Sequence, residues 1–239
     1  MISASTGGRH AYPTAISARE VAVGPLHLPG DLSVPADAFA LVLFAHGSGS
    51  SRQSPRNRAV ARVLNEQGIA TLLFDLLRPD EELDRRNVFD IPLLAERLVA
   101  AVGWIESQTK LARLPIGLFG ASTGAAAALV AAARLGTRIG AVVSRGGRPD
   151  LAAAVLDRVT APTLLIVGGL DDVVIELNEQ AFAQLRTEKS LEIVPSATHL
   201  FPEPGALERV IELAAHWFRA HLLAGRASRA PDSGGDHAV

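Results

Sequence analysis

Six short apolar runs recur along this chain, and their spacing constrains the fold more than any other feature. They are ALVLFA (40–45), IATLLF (69–74), PIGLFG (115–120), IGAVVS (139–144), TLLIVG (163–168) and LEIVP (191–195). Each is bounded by Gly, Pro, Asp or His, as expected of strands covered on both faces. An earlier segment, REVAVGPLHLPG (19–30), alternates more and reads as an edge strand in an antiparallel hairpin. Between the runs lie stripes of helical period: Val60, Val63 and Leu64, then Leu94, Leu98 and Val102. A last helix carries Leu207, Val210, Ile211, Ala214, Phe218 and Leu222. Asp90 is placed to cap the second helix, with Pro92 tolerated in its first turn. Repeated strand–helix alternation predicts an α/β fold: a mostly parallel central sheet with helices on both faces.

One domain is expected over 19–224, with no internal repeat. The ends, 1–18 and 225–239, are polar or rich in Gly, Ser and Arg, and are expected to be mobile. A length of 239 residues with 48% apolar and 20% charged residues suits a soluble globular protein. A net charge of −2 gives no pull toward nucleic acid or an anionic membrane. The absence of cysteine excludes disulfides, thiolate nucleophiles and cysteine-ligated zinc. The opening residues lack a continuous apolar segment, and the longest apolar stretch, AAAALVAAA (125–133), cannot span a bilayer. A cytoplasmic location is therefore expected.

In a parallel sheet the loops at the carboxyl ends of the strands carry the chemistry. The strongest local signal there is GASTG (120–124), between the strand PIGLF and the alanine-rich helix. This is a G-x-S-x-G turn in the strand–turn–helix setting it requires, with Ser122 as its nucleophile. The turn is so sharp that only small residues fit two places before and after the serine. The helix start beneath it supplies free N–H groups and partial positive charge for an oxyanion.

A serine needs a base. Of the seven histidines, His10 and His237 lie in the ends, His27 in the early edge strand, and His216 and His221 on the last helix. His221 is expected to be a packed histidine. His46 and His199 remain on the functional face. His199, in SATHLFPEP, follows the last strand and can hang over the serine. Asp171 and Asp172, in LLIVGGLDDVV, stand where another strand reaches that face, and either could be the acid of a relay.

These motifs resemble an α/β-hydrolase, and most closely the dienelactone hydrolase-like proteins. The resemblance covers about residues 19–224 and rests on FAHGSGSS, GASTG, SRGGRPDL, VGGLDDVV and ATHLF in that order. It implies an α/β-hydrolase fold and the chain order nucleophile, acid, histidine. The enzymes that name the family carry a cysteine nucleophile; here the position is Ser122, which implies a serine hydrolase of esters or lactones. The family's spacing from Gly168 to Val174 places the acid at Asp171, with Asp172 facing solvent or capping a helix. It also implies an oxyanion hole from the backbone N–H groups of Ser48 and Thr123, His46 as a brace for that loop, and no metal or organic cofactor. Arg145 and Arg148, in SRGGRP, are candidate binders of a substrate carboxylate or phosphate. LAAAVLDRVTAP holds only a short helix where many lipases insert a lid. No lid domain is expected, and a small-molecule or exposed ester should suit the open site.

Rival readings are weaker. HGSGSSR would be a dinucleotide turn only if a third glycine stood at Arg52. LDDVV is similar to the phosphoribosyl-pyrophosphate loop of phosphoribosyltransferases, but it continues into bulky, acidic Ile175-Glu176-Leu177 instead of small phosphate-wrapping residues. Adjacent carboxylates point apart and no histidine spacing completes a metal site. Glu81, Glu82, Asp84, Arg85 and Arg86 read as a solvated loop. An acyltransferase with the same triad and a non-catalytic hydrolase-fold binding protein are the remaining alternatives in function.

Overall fold

Strands appear where the apolar runs predict them. The structure, a computed structural model, describes residues 16–227. Its strands are β1 (Ile16–Val23), β2 (Leu28–Pro35), β3 (Ala40–Ala45), β4 (Ile69–Phe74), β5 (Ile116–Ala121), β6 (Ile139–Arg145), β7 (Thr163–Gly168) and β8 (Lys189–Val194). They form one eight-stranded sheet in the order β1-β2-β4-β3-β5-β6-β7-β8. β1 and β2 pair antiparallel, β2 joins β4 antiparallel, and all other pairs are parallel.

The helices are α1 (Pro55–Glu66), α2 (Pro79–Glu82), α3 (Arg85–Val88), α4 (Ile91–Ser107), α5 (Thr123–Leu135), α6 (Asp172–Gln184) and α7 (Ala206–Ala227). Two apolar layers result. On one face Leu94, Leu98 and Val102 of α4 join Leu129 of α5 against Leu43, Leu72 and Leu118. On the other, Val60 and Leu64 of α1 and Phe218 and Leu222 of α7 pack on Phe44 and Phe119. Thr123 to Ala132 of α5 are all buried, which suits a helix whose alanines let it lie close to the sheet. Asp90 caps α4 by accepting from the Leu93 N–H at 3.0 Å.

Three features depart from expectation. LEIVP was expected to be covered on both faces, but β8 is an edge strand in which only Val194 is buried. The acidic stretch expected as a solvated loop folds into α2 and α3. Asp84 caps α3 by accepting from Arg86 N at 3.0 Å, and Glu81 pairs with Arg97 of α4 at 2.9 Å. Those local partners satisfy the charges and let a turn of helix form. Ordered structure also passes both ends of the 19–224 span, because β1 starts at Ile16 and α7 runs to Ala227. Residues 1–15 and 228–239, where mobility was expected, lie outside the described residues, with His10 and His237.

Between β6 and β7 there is only a short 3-10 helix, Pro149–Arg158, and no lid domain. No helix among the described residues is long and apolar enough to cross a membrane.

Candidate active site

The G-x-S-x-G turn is built from β5 and α5. Ser122 sits between them at φ 52°, ψ −123°, a strained backbone that points its side chain off the sheet. Two neighbouring glycines permit this. A Cβ at Gly124 would overlap the carbonyl oxygens of Ala45 and His46, and one at Gly120 would overlap the backbone of Ala125. The backbone is pinned as well: Ser122 N donates to Arg145 O at 3.2 Å, and Ser122 O accepts from Arg148 N at 3.1 Å.

β7 and β8 deliver the other two side chains. Their loops are zipped together, with Leu170 N donating to Ala197 O at 2.9 Å and Gly169 N to Val194 O at 2.8 Å. Gly168 permits this approach, since a Cβ there would overlap Ala197 O. Asp171 stands at the N-cap of α6 yet makes no capping bond with its side chain. Its Oδ2 instead accepts from His199 Nδ1 at 2.6 Å. That bond fixes the imidazole tautomer and leaves Nε2 free to take a proton. Asp172, the first residue of α6, is exposed. Ser122 Oγ makes no hydrogen bond to another described residue. Catalytic contacts of this kind commonly tighten only when substrate binds.

The loop after β3 approaches the turn from the other side. A Cβ on Gly47 would lie 2.9 Å from Ser122 Cβ, so this loop needs glycine to come so close. His46 braces it: Nδ1–H donates to Gly47 O at 3.1 Å and Nε2 accepts from Leu76 N at 3.1 Å. Burial holds the His46 pKa below the ordinary histidine value despite the nearby Asp75 and Glu82 carboxylates. The neutral ring is the form both bonds require. Arg52, at the third position of the would-be dinucleotide glycines, is tied to Asp75 through its N–H at 2.8 Å.

The two expected oxyanion donors are not equally free. Thr123 N lies in the first turn of α5, but Ser48 N already donates to Thr123 Oγ1 at 3.0 Å. Nothing in the G-x-S-x-G spacing signals that the residue after the serine will reach across. From this loop opens a cavity of about 350 Å³, walled by Leu76, Leu77, Val88 and Leu94 and edged by Glu82. A larger groove of about 490 Å³ lies between β2 and α1 and contains none of these groups.

The two candidate arginines diverge. Arg148 forms a two-pronged pair with Asp150, at 2.8 Å for each contact, and its side chain is 40% exposed. Arg145 is 7% exposed and pairs with no carboxylate. His221 stacks on Trp217 with ring centroids 4.3 Å apart, as expected of a packed histidine. His27 lies in the β1–β2 turn and His216 is exposed on α7. No group of three or more metal-binding side chains occurs among the described residues.

A strained serine between parallel strand and helix, with an Asp–His pair from the loops after β7 and β8, defines the α/β-hydrolase class. Residues 38–212 match the alpha/beta hydrolase domain family, and the chain belongs to that family, in its dienelactone hydrolase-like branch. It is 55% identical to a dienelactone hydrolase from Anabaena variabilis, with a TM-score of 0.84, covering 88% of this chain and 100% of that one. Est1E from Butyrivibrio proteoclasticus shares the fold at 20% identity and a TM-score of 0.72, with 87% and 99% of the two chains covered. Among curated relatives, a Mycobacterium tuberculosis protein named as a phosphoribosyl transferase is 59% identical over 203 residues. That match covers 85% of this chain and 46% of the relative, so the chain spans about half the length of the relative.

Proposed function

We propose that the chain is a serine hydrolase that cleaves carboxylic ester or lactone bonds through an acyl-enzyme. The observation that carries this is the 2.6 Å bond from His199 Nδ1 to Asp171 Oδ2, on loops flanking the strained Ser122. Ser122 Oγ attacks the substrate carbonyl while His199 Nε2 takes the hydroxyl proton. That proton then goes to the departing alkoxide. Water, deprotonated by the same imidazole, releases the acid and restores Ser122. Asp171 holds the ring in place and stabilises its charged form, and the start of α5 bears on the oxyanion. No metal enters these steps. The cavity beside the oxyanion loop, at about 350 Å³, suits a small acyl or alcohol group.

The transferase name belongs to a protein more than half of which lies outside the match. The segment similar to a phosphoribosyl-pyrophosphate loop turns at Asp171 straight into α6, where bulky Val173 and Val174 follow Asp172. Phosphoribosyl transfer is therefore not assigned to this chain.

The test is direct. Wild-type protein should hydrolyse p-nitrophenyl acetate and be labelled at Ser122 by a fluorophosphonate. Ser122→Ala should lose both while melting at an unchanged temperature. Turnover retained by the folded variant would overturn the assignment.

A further inference from the structure

Arg145 is the one buried side chain with a full positive charge among the described residues, and nothing neutralises it. Its Nε and Nη1 are closed to solvent and have no hydrogen-bond partner. The one charge that acts on it is another cation, Arg56, and burial together with that neighbour lowers its pKa to about 10. Arg56 also lacks a carboxylate partner, and its Nε is likewise buried and unbonded. A buried unpaired guanidinium is destabilising, so proteins normally give one a counter-charge.

The position of the pair is informative. Arg145 is in register with Ala121 and Ile166 in a parallel sheet, and Val143 and Ile166 face the α1/α7 layer. Its side chain therefore enters that layer, just below the nucleophile turn to which its backbone is bonded. Arg56 lies in the first turn of α1, a 12-residue helix with no acidic residue in that turn. Pro55 has no N–H and Asn57 N donates to Ser54 Oγ at 3.4 Å, so the helix start adds the Arg56 N–H and its partial positive charge. Arg56 lies near enough for its charge to act on Arg145, and two unpaired guanidiniums together favour an anion.

We propose that Arg145, Arg56 and the N-terminus of α1 form a site for an oxyanion, a carboxylate or a phosphate group. Its position beneath Ser122 makes a substrate-borne anion the natural occupant, an assignment of source that rests on the hydrolase reading. The site itself does not.

Two arms test this on the full chain. In the first, inorganic phosphate is titrated while thermal unfolding is followed, against sodium chloride at matched ionic strength. Wild type should show a saturable rise in Tm that Arg56→Met and Arg145→Met each abolish. Without phosphate, Arg145→Met should melt no lower than wild type, because it removes an uncompensated buried charge. If Arg145→Met fails to fold, half-buried Arg56→Met still decides the matter. No saturable shift, or one that persists in the variants, overturns the site. The second arm compares KM for p-nitrophenyl esters ending in a carboxylate or in a methyl group. A substrate-borne anion predicts a KM several-fold lower for the acid, with that ratio collapsing in Arg56→Met. A phosphate shift without ester discrimination supports the site with free anion as occupant. Because the first arm needs no turnover, it remains readable if hydrolase activity is absent.

Discussion

The backbone N–H of Ser48 donates to the side-chain hydroxyl of Thr123 at 3.0 Å, across the gap between the β3 loop and the start of α5. An oxyanion drawing on Ser48 must therefore exchange this bond for its own. Removing the hydroxyl leaves the N–H free in advance but unsatisfied in the resting protein. Thr123→Val should accordingly lower stability by about 1 kcal/mol and raise kcat/KM by roughly 5-fold, the scale of one neutral hydrogen bond. Denaturant unfolding and ester kinetics on the same variant check both signs. A fall in kcat/KM would mean that the hydroxyl assists turnover.

The two adjacent aspartates differ in their partners: Asp171 is bonded to His199 and Asp172 is exposed. Asp171→Asn keeps the shape but disrupts the tautomer that the Nδ1–H bond enforces, and kcat should fall by roughly 10³–10⁴-fold. Asp172 is exposed on α6, so Asp172→Asn should stay within about 2-fold of wild type. Equal losses in the two would remove the basis for choosing between them.

His46 gives a prediction in pH. Its folded pKa lies below the unfolded value of 6.5, so below that value the unfolded chain binds more protons than the folded one. Its contribution to stability is complete above pH 6.5 and is lost as pH falls from there toward the folded pKa. His46→Gln should flatten the decline of Tm between pH 7 and pH 5. Parallel wild-type and variant curves would show that the ring does not titrate in this way.

Two glycine-to-alanine changes should have opposite signs. Gly124→Ala drives a methyl group into the carbonyls of Ala45 and His46 and should cost about 2 kcal/mol or more. Gly103 lies exposed within α4, and its Cβ would meet nothing within 4 Å, so Gly103→Ala should stabilise by about 0.5–1 kcal/mol. Urea unfolding of both distinguishes a glycine required by close approach from one that merely weakens a helix.

Much of the fold could be read from the chain itself, because buried parallel strands leave an unbroken apolar run. ALVLFA, IATLLF and TLLIVG coincide with β3, β4 and β7. The G-x-S-x-G turn was equally legible, since only small residues fit around so sharp a bend. Edge strands and charged loops were less so. β8 depends on having no neighbour beyond it, and α2 and α3 on caps and ion pairs that composition does not reveal.

Chain order and residue type by themselves predicted Ser122, an aspartate of the LDD turn and His199 beyond the carboxyl ends of the strands, and they follow β5, β7 and β8. Tertiary structure decided the side-chain partners. The resemblance already pointed to Asp171, and the structure supplies the physical reason: α6 begins between the two aspartates, so Asp171 meets His199 and Asp172 is turned outward. It also split two arginines that looked alike in SRGGRP. Strand alternation sends Arg145 into the α1/α7 layer, while Arg148, past the strand end, meets Asp150 at the surface. Such outcomes depend on which faces and loops meet in space, and the local sequence records that only indirectly.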